Sequence, residues 1–589
     1  MTNASNQNLQ LNDFLSAFSN ITIANSTYLP PFIDDGYLPV HVEYPWGNAT
    51  EQRTWADAPD TGIIRAYNFT ITRGVIAPDG FSKSVLLVNN EFPGPLLEAN
   101  WGDTFEITIN NQIANPEEGT MLHWHGLYQH QTPWYDGVPA VDMCPIAPGR
   151  SFTYTFKADQ YGTSWWHSHY DAQYADGLFG PMVIYGPKTT IYDIDIGTVL
   201  LGVYYHKDYH YYVQQTSGIP FELPLSDNNL INGKNAILSN CSTSSNATSC
   251  VDYSKMETFQ FQPNKVHRLR LINAGADGIQ RFAIDGHKMT IIANDFVPVV
   301  PYESDIISLG VGQRTDILVN ASAGPGSSWW MRSNLTMPPC GIGNQPYALA
   351  AIYYTEADKS TAPTSTPDPS TYNSTFCQNN PLSSSIPLFS TTPPSSPAVT
   401  QQIEVLLGQN SSGNSLFFMN GESFRGNYNN PVMLLAAAGN TSYPDDPEWN
   451  VYNFGSNSSV RIVLINNTTL THPIHMHGHN FWVLAEGVGQ WDGTVENAEN
   501  PQRRDIQLLQ GSNGDELGYL VLEFIQDNPG VWPLHCHIAW HVSTGFYINV
   551  MEHPEEIANF TIPNNIMQTC RDWANYTGQN IVDQIDSGL

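Results

Sequence analysis

The chain has 589 residues, a formal net charge of -32 at pH 7 and a sequence pI near 4.7. This length exceeds the usual limit for one domain, so several domains with separate cores are expected. The negative charge disfavours binding to nucleic-acid backbones and anionic membrane surfaces, and the apolar runs are too short to cross a bilayer. We therefore expect a soluble acidic protein without nucleic-acid or membrane partners.

Residues 1–60 form an N-terminal extension whose polar opening, "MTNASNQNLQ", does not have the character of a signal peptide. N-x-S/T acceptor sites such as Asn68, Asn320 and Asn467 are abundant and lysine is sparse, which favours a secreted, extracellular glycoprotein whose signal peptide is absent from this numbering. The chain has seven cysteines. If Cys536 binds a metal, the remaining six are compatible with three disulfides in an oxidising compartment.

The sequence contains a pair of strand-like segments that is repeated three times along the chain. Three apolar strands that end in Asn each precede a second strand with Trp near its start: "FEITINNQI" and "SWWHSHY", "RLRLINAGA" and "SWWMRSN", "VRIVLINNTTL" and "VWPLHCH". Alternating Val, Ile, Thr and Tyr between Gly, Pro and Asn turns predicts β-sandwiches. We expect three β domains at 61–190, 191–355 and 401–555, a Pro/Ser-rich connector at 356–400 and a C-terminal tail at 556–589.

The copies differ in their histidines. The first domain carries "HWHG" and "HSH", the third carries "HPIHMHGH" and "HCHIAWH", and the second has Met331 and Ser333 at the matching place. Domains one and three are therefore expected to bind metal, and domain two is not. The histidines in these motifs are His123, His125, His167, His169, His472, His475, His477, His535, His537 and His541.

Strand geometry explains the H-x-H spacing. Side chains alternate between the faces of a strand, so His535 and His537 point to one side and Cys536 to the other. Toward one side, four H-x-H pairs supply eight imidazoles, which is too many for one ion and suits a cluster. Toward the other side, Cys536 with His472 and His541 makes the His2Cys set of a blue-copper electron-transfer site.

These four motifs resemble those of the multicopper oxidases, and the chain from about residue 60 to its "DSGL" end is similar to the fungal, ascomycete-type laccases. The resemblance implies an all-β fold of three consecutive cupredoxin-like β-sandwich (Greek-key) domains with short helices. It also implies a benzenediol:oxygen oxidoreductase, active in phenol oxidation and lignin degradation. Phenols would be oxidised one electron at a time at a type 1 copper, and O2 would be reduced to water at a trinuclear cluster between domains 1 and 3.

The resemblance further implies four copper ions and their ligands. The type 1 ligands would be His472, Cys536 and His541, and the type 2 ligands His123 and His475. The two type 3 ions would be bound by His125, His167 and His537 and by His169, His477 and His535. Because Cys536 is joined by one peptide unit to His535 and to His537, it would provide a short covalent path for electrons between the sites.

Four further residues have two interpretations each. Asp277 resembles the family's carboxylate that accepts a proton from a phenol, or it belongs to a polar turn. Asp136 resembles an acid near the type 2 copper, or it caps a turn. Trp540 forms a wall of the substrate pocket or fills a core. Phe546 occupies the axial position of the type 1 site, where it would raise the redox potential, or fills a core.

The family also implies disulfides between Cys144 and Cys570 and between Cys340 and Cys377, which leaves Cys241 and Cys250 as a local pair. By the same resemblance, the last four residues would plug a channel toward the cluster; the alternative is a frayed chain end. These tail residues are Asp586, Ser587, Gly588 and Leu589.

Alternative functions remain within and outside the family. A ferroxidase would need hard carboxylates around the type 1 site, and an ascorbate-type oxidase is also open. A copper-binding electron carrier without oxidase activity needs only the type 1 ligands, so the eight additional imidazoles count against it. We expect a monomer that acts on small phenolic or aromatic substrates and O2.

Overall fold

The computed structural model describes residues 58–187, 189–235, 256–335, 340–367, 377–441, 447–578 and 586–589. Within these ranges the chain is dominated by strands that form three successive pairs of sheets. This architecture confirms the predicted all-β fold of three cupredoxin-like domains. The predicted domain boundaries stay predictions.

The first domain packs one sheet of order β2-β1-β4-β6 against another of order β3-β8-β7-β5. In β4 the alternation of the sequence is directly visible, because Phe105, Ile107 and Ile109 are buried while Glu106 is exposed. The strands are β1 (Ile64–Ile76), β2 (Lys83–Val88), β3 (Leu97–Asn100), β4 (Thr104–Asn111), β5 (Leu122–Trp124), β6 (Ser151–Lys157), β7 (Gly162–Ser168) and β8 (Phe179–Tyr185).

The second domain has sheets of order β10-β9-β12-β17-β14-β15 and β11-β19-β18-β13-β16, with one apolar core between them. Its strands are β9 (Ile194–Tyr204), β10 (Asn228–Ile231), β11 (Glu257–Phe261), β12 (Val266–Asn273), β13 (Gln280–Ile284), β14 (Met289–Asn294), β15 (Val297–Ser304), β16 (Ile307–Leu309), β17 (Arg314–Asn320), β18 (Ser328–Leu335) and β19 (Tyr347–Tyr354).

The third domain has sheets of order β21-β20-β23-β28-β25-β26 and β22-β30-β29-β24-β27. Its strands are β20 (Val399–Gln409), β21 (Ser415–Met419), β22 (Val451–Asn453), β23 (Ser459–Asn466), β24 (His472–Met476), β25 (Phe481–Val488), β26 (Arg503–Arg504), β27 (Ile506–Leu509), β28 (Gly518–Ile525), β29 (Gly530–Cys536) and β30 (Tyr547–Glu552).

The sequence repeat corresponds to a repeat of topology. The three Asn-terminated strands, β4, β12 and β23, each pair in parallel with the first strand of their own domain. The three Trp-bearing strands, β7, β18 and β29, are each flanked on both sides by antiparallel neighbours in the second sheet. Equivalent segments therefore occupy equivalent places in all three domains.

Short helices lie within domains two and three and after the last strand, and no helix of the described residues is long and apolar enough to cross a membrane. The disulfides Cys144–Cys570 and Cys340–Cys377 are formed, and the first ties the last helix to domain one. Cys241 and Cys250 lie outside the described residues. The helices are α1 (Tyr209–Ser217), α2 (Val432–Ala437), α3 (Ala539–Ser543), α4 (Pro554–Ile557) and α5 (Asn564–Thr577).

Candidate metal centres

The H-x-H motifs meet at the junction of domains one and three. In domain one, antiparallel β5 and β7 set His123 opposite His167, and in domain three β24 and β29 set His475 opposite His535. The rings of the two domains then contact each other, with His125 stacked on His475 at a centroid separation of 3.9 Å. All eight imidazoles are buried: His123, His125, His167, His169, His475, His477, His535 and His537.

The ring nitrogens of this cluster face one another at short distances. His477 Nε2 lies 3.0 Å from His535 Nε2, and His125 Nδ1 lies 3.2 Å from His537 Nε2. The ligand atoms of several triads lie within 4.8 Å of one another, a spacing that a shared metal ion can bridge. These triads are His169, His477 and His535; His123, His475 and His477; and His123, His125 and His167.

In several of these rings the nitrogen that faces away from the cluster is hydrogen-bonded to an oxygen acceptor. Nδ1 of His123 donates to the backbone oxygen of Asp136 over 2.8 Å, and Nδ1 of His475 donates to the backbone oxygen of Asp505 over 2.8 Å. His477 Nδ1 donates to Asp136 Oδ2 over 2.7 Å. Such outer hydrogen bonds fix the tautomer and aim the other nitrogen at a metal. Nε2 of His123 and Nε2 of His475 are accordingly buried without a hydrogen-bond partner.

The electrostatics of the cluster disfavour the protonated form of seven of its imidazoles. Burial, reinforced by the neighbouring histidines, lowers the pKa of most of these rings well below the ordinary value, and lowers the pKa of His535 to about 3. Neutral imidazoles have a free lone pair, which is the form that binds transition metals. The cluster therefore fits metal ions and does not fit a set of protonated, mutually repelling cations.

On the other face of β29, Cys536 meets two histidines. Its Sγ lies 3.5 Å from His541 Nδ1 and 3.7 Å from His472 Nδ1, and the two Nδ1 atoms lie 3.0 Å apart. The Nε2 of His472 is held by Thr468 Oγ1 at 2.8 Å, which leaves Nδ1 free to face the sulfur. The set is buried, and it matches the His2Cys composition of a blue-copper site.

The thiol of Cys536 needs a cation to ionise. Burial raises the pKa of the Cys536 thiol well above its ordinary value, whereas burial lowers the pKa of His541 to about 3. Since a thiolate is the form that binds metal, a soft metal ion bound here would displace the proton and supply the missing positive charge.

Phe546 lies directly against this site. Its ring centroid is 4.8 Å from that of His472 and 5.2 Å from that of Phe417, and its side chain is fully buried. The backbone oxygen of Phe546 accepts a 3.2 Å hydrogen bond from the N–H of Cys536. A fully apolar ring therefore covers one side of the sulfur site and excludes water from it.

Asp277 and Trp540 lie where domain two meets α3. The backbone N–H of Ala539, at the start of α3, donates to the oxygen of Ala276, so the half-buried Asp277 lies close to the helix that carries His541. Burial raises the pKa of Asp277 to about 7, against a 2.6 Å hydrogen bond from the N–H of Gly278 that favours the ionised form. Trp540 is 1% exposed.

The structure adds functional residues that the sequence did not predict. His125 Nε2 lies 3.2 Å from Asp505 Oδ1, and Asp505 is held by both terminal nitrogens of Arg314 at 2.6 Å. Arg314 comes from the first residue of β17, in domain two, and both members of the pair are fully buried. The hydroxyl of Tyr174 donates to the backbone oxygen of His537 over 2.9 Å.

The tail folds back into the protein. The N–H of Ser587 donates to the backbone oxygen of Ser543 over 2.7 Å, and the N–H of Asp171 donates to the oxygen of Gly588 over 2.9 Å. Leu589 is 2% exposed and lines a cavity whose other walls include four of the cluster histidines. Residues 586–589 are therefore packed against the protein and are not frayed.

The two sites and three cupredoxin-like domains define a copper-dependent oxidoreductase. Three family models described as multicopper oxidase match residues 70–189, 195–357 and 411–556. Laccase-2 of Botryotinia fuckeliana is 36% identical over 560 residues, which cover 92% of this chain and 92% of that protein. The chain belongs to the multicopper oxidase family.

Solved structures agree with this assignment. The laccase from Botrytis aclada is 34% identical and superposes with a TM-score of 0.82, over 91% of this chain and 96% of that one. Fet3p, a multicopper oxidase that functions in iron import, is 25% identical with a TM-score of 0.73, over 86% of this chain and 95% of that one. Copper binding and oxidase activity follow from the family.

Proposed function

We propose that this protein is a laccase that oxidises phenols at a type 1 copper and reduces O2 to water at a trinuclear copper cluster. The observation that carries the proposal is the strand β29, on which Cys536 faces one site while its neighbours His535 and His537 face the other. A blue-copper carrier would need only the first site. The higher identity to laccases than to Fet3p favours phenols over ferrous iron.

The proposed ligands follow the geometry of the two sites. Four bound copper ions would supply one-electron oxidation of substrate at one site and four-electron reduction of O2 at the other. The type 1 ion would be held by His472, Cys536 and His541, and the type 2 ion by His123 and His475. The type 3 ions would be held by His125, His167 and His537 and by His169, His477 and His535.

The protein's own groups orient the ligands and move protons. In the proposed mechanism Asp277 accepts the proton that a phenol loses as it gives up an electron. Asp136, hydrogen-bonded to His477 through Oδ2, is the proposed proton source at the cluster. Trp540 would form a wall of the substrate pocket, and Phe546, which offers no sulfur ligand, would favour the reduced form of a bound copper ion and so raise its redox potential.

Two further parts of the proposal concern access and location. The buried tail Asp586–Leu589 closes the cavity beside the cluster and limits the entry of solvent. We propose that the protein is secreted, since a disulfide joins domain one to α5 and disulfides persist in oxidising compartments. We also propose that it acts as a monomer.

Oxygen uptake tests the function directly. The copper-loaded protein is given a methoxyphenol, ferrous iron or ascorbate, and O2 consumption and hydrogen peroxide are recorded. We expect the highest kcat/KM with the phenol, one O2 consumed for every four phenols, and no release of peroxide. A higher kcat/KM with ferrous iron or ascorbate would assign the protein to another oxidase of the family, and copper reduction without O2 consumption would make it an electron carrier.

A further inference from the structure

A chain of aromatic rings connects the surface of domain two to the type 1 ligand His541. The chain begins at Tyr211 on α1, whose side chain is 45% exposed. The ring of Tyr211 lies 5.2 Å from the ring of Tyr212, and Tyr212 lies 5.3 Å from Trp540, both as centroid separations. Trp540 immediately precedes His541 in α3.

The inner rings of this aromatic series, Tyr212 and Trp540, are tightly packed and shielded from water. Helices α1 and α3 pack against each other, and Tyr212 and Trp540 are 5% and 1% exposed. The indole Nε1 of Trp540 donates to the hydroxyl of Tyr205 over 3.1 Å, and the Tyr205 ring contacts both Trp540 and Tyr212 at 5.2 and 4.7 Å. Such packing fixes the ring separations that determine the rate of electron transfer.

Tyrosine and tryptophan are the side chains whose rings are most readily oxidised by one electron without metal. Because electronic coupling falls exponentially with distance, two short steps between rings in contact are faster than one long step through aliphatic side chains. His541 itself is only 6% exposed, so little of its side chain is available to a bulky substrate. Tyr211, in contrast, presents its ring to solvent.

We propose that Tyr211 is a second oxidation site, which passes electrons from bulky or polymer-bound phenols through Tyr212 and Trp540 to the type 1 copper. The proposal rests on the proposed function, which supplies the cupric ion as oxidant. It adds a class of substrate that cannot enter the pocket beside His541.

The proposed reaction removes one electron and one proton from the phenolic substrate. Trp540 gives an electron to the cupric ion held by His541 and recovers one from Tyr211 through the Tyr212 ring. Tyr211 loses its hydroxyl proton to solvent and becomes a phenoxyl radical, which takes a hydrogen atom from the phenolic substrate. The substrate leaves as a phenoxyl radical, the cupric ion becomes cuprous, one proton is released to water, and the three side chains are restored.

The test compares Tyr211→Phe with wild type on two matched substrates, a small phenol and the same phenol attached to a soluble dextran. Phenylalanine keeps the ring contact with Tyr212 but is not oxidised under these conditions. We expect kcat/KM to fall about tenfold with the dextran-bound phenol and to stay unchanged with the free phenol. Tyr347→Phe is the control, because Tyr347 has the same 45% exposure and lies on β19 of domain two.

A second readout does not depend on turnover. Incubation of the copper-loaded protein with a nitroso spin trap, followed by peptide mass spectrometry, should locate an adduct on Tyr211, and this adduct should be lost in Tyr211→Phe and kept in Tyr347→Phe. Equal activity of Tyr211→Phe and wild type on the dextran-bound phenol, or the absence of an adduct at Tyr211, would overturn the inference. Failure of wild type to oxidise even the free phenol would instead overturn the proposed laccase function.

Discussion

Domains two and three share the same order of strands, but the side chains on their equivalent central strands differ in polarity and role. In domain three, β24 and β29 set His475 opposite His535. In domain two, the equivalent β13 and β18 set Phe282 opposite Ser333. Ser333 Oγ donates to Gln280 Oε1 over 2.8 Å, so the polar group on this strand is satisfied by the protein itself. At these equivalent positions, domain three has ring nitrogens without hydrogen-bond partners, such as Nε2 of His475, whereas domain two pairs Ser333 internally.

Although domain two lacks the histidine motifs, it still contributes side chains near both candidate metal sites. It contributes Arg314 to the carboxylate beside His125, places Asp277 next to the start of α3, and packs Tyr212 against Trp540. Domains one and three therefore provide the proposed metal ligands, while domain two supplies a buried charge, the proposed base Asp277 and aromatic rings near them. We therefore expect substitutions of the proposed metal ligands to abolish oxidase activity, and substitutions in domain two to change it by smaller amounts.

The largest effect is expected from a ligand. Cys536→Ser should abolish the blue absorption and the oxidase activity, because the hydroxyl is a poor substitute for a thiolate. The histidine cluster should keep its copper, since His535 and His537 point away from Cys536 and the other cluster histidines come from other segments. Copper analysis together with visible and EPR spectra checks both statements. A blue, active variant would contradict the type 1 assignment.

The next largest effect is expected from Arg314, the residue of domain two that pairs with Asp505. Removal of one partner from a buried ion pair costs about 3–5 kcal/mol, so Arg314→Ala should lower the thermal midpoint by several degrees. It should also weaken copper retention, because Asp505 no longer has a fixed position beside His125. Calorimetry and copper analysis after dialysis measure the two changes.

A matched control separates this positioning role from general destabilisation. Arg332 pairs with Asp285 within domain two at 2.8 Å and is 15% exposed. Arg332→Ala should lower stability less and leave copper retention unchanged. If both variants lost copper equally, Arg314 would have no special role at the cluster.

The base near the type 1 site gives a smaller, pH-dependent effect. Burial raises the pKa of Asp277 to about 7, so the carboxyl is neutral at lower pH and ionised at higher pH. Phenol oxidation should therefore increase as pH rises through about 7, and Asp277→Asn should slow it and remove this increase. A dye that loses no proton on oxidation serves as the control. Equal losses on both substrates would contradict the role as a base.

The smallest effect is expected at Phe546. Phe546→Met introduces a thioether that stabilises the cupric ion, so the type 1 potential should fall. Activity should decline most on phenols that are poor reductants and least on those that are easily oxidised. Redox titration of the blue absorption provides the measurement. An unchanged or raised potential would mean that Phe546 is not at the axial position.

The sequence predicted the fold and the converging histidines because both follow local rules. Period-two alternation separates Cys536 from His535 and His537 on any strand, and the H-x-H motifs identify their own faces. Arg314 and Asp505 have no such signal, since they lie 191 positions apart and meet only after the domains dock. Tyr212 and Trp540 also have no sequence signal, because their rings meet only when α1 packs against α3. A sequence pattern also cannot tell which ring nitrogen of His125 faces inward.

The bond between Cys144 and Cys570 sets an order for biosynthesis. Its partners are 426 positions apart, so at translation rates of roughly 5–20 residues per second Cys144 waits about 20–85 s for its partner to leave the ribosome. Cys340 and Cys377 emerge during this interval, and only 37 positions separate them. Their short loop closes at lower entropic cost. Attachment of α5 to domain one is therefore expected to follow closure of the Cys340–Cys377 loop.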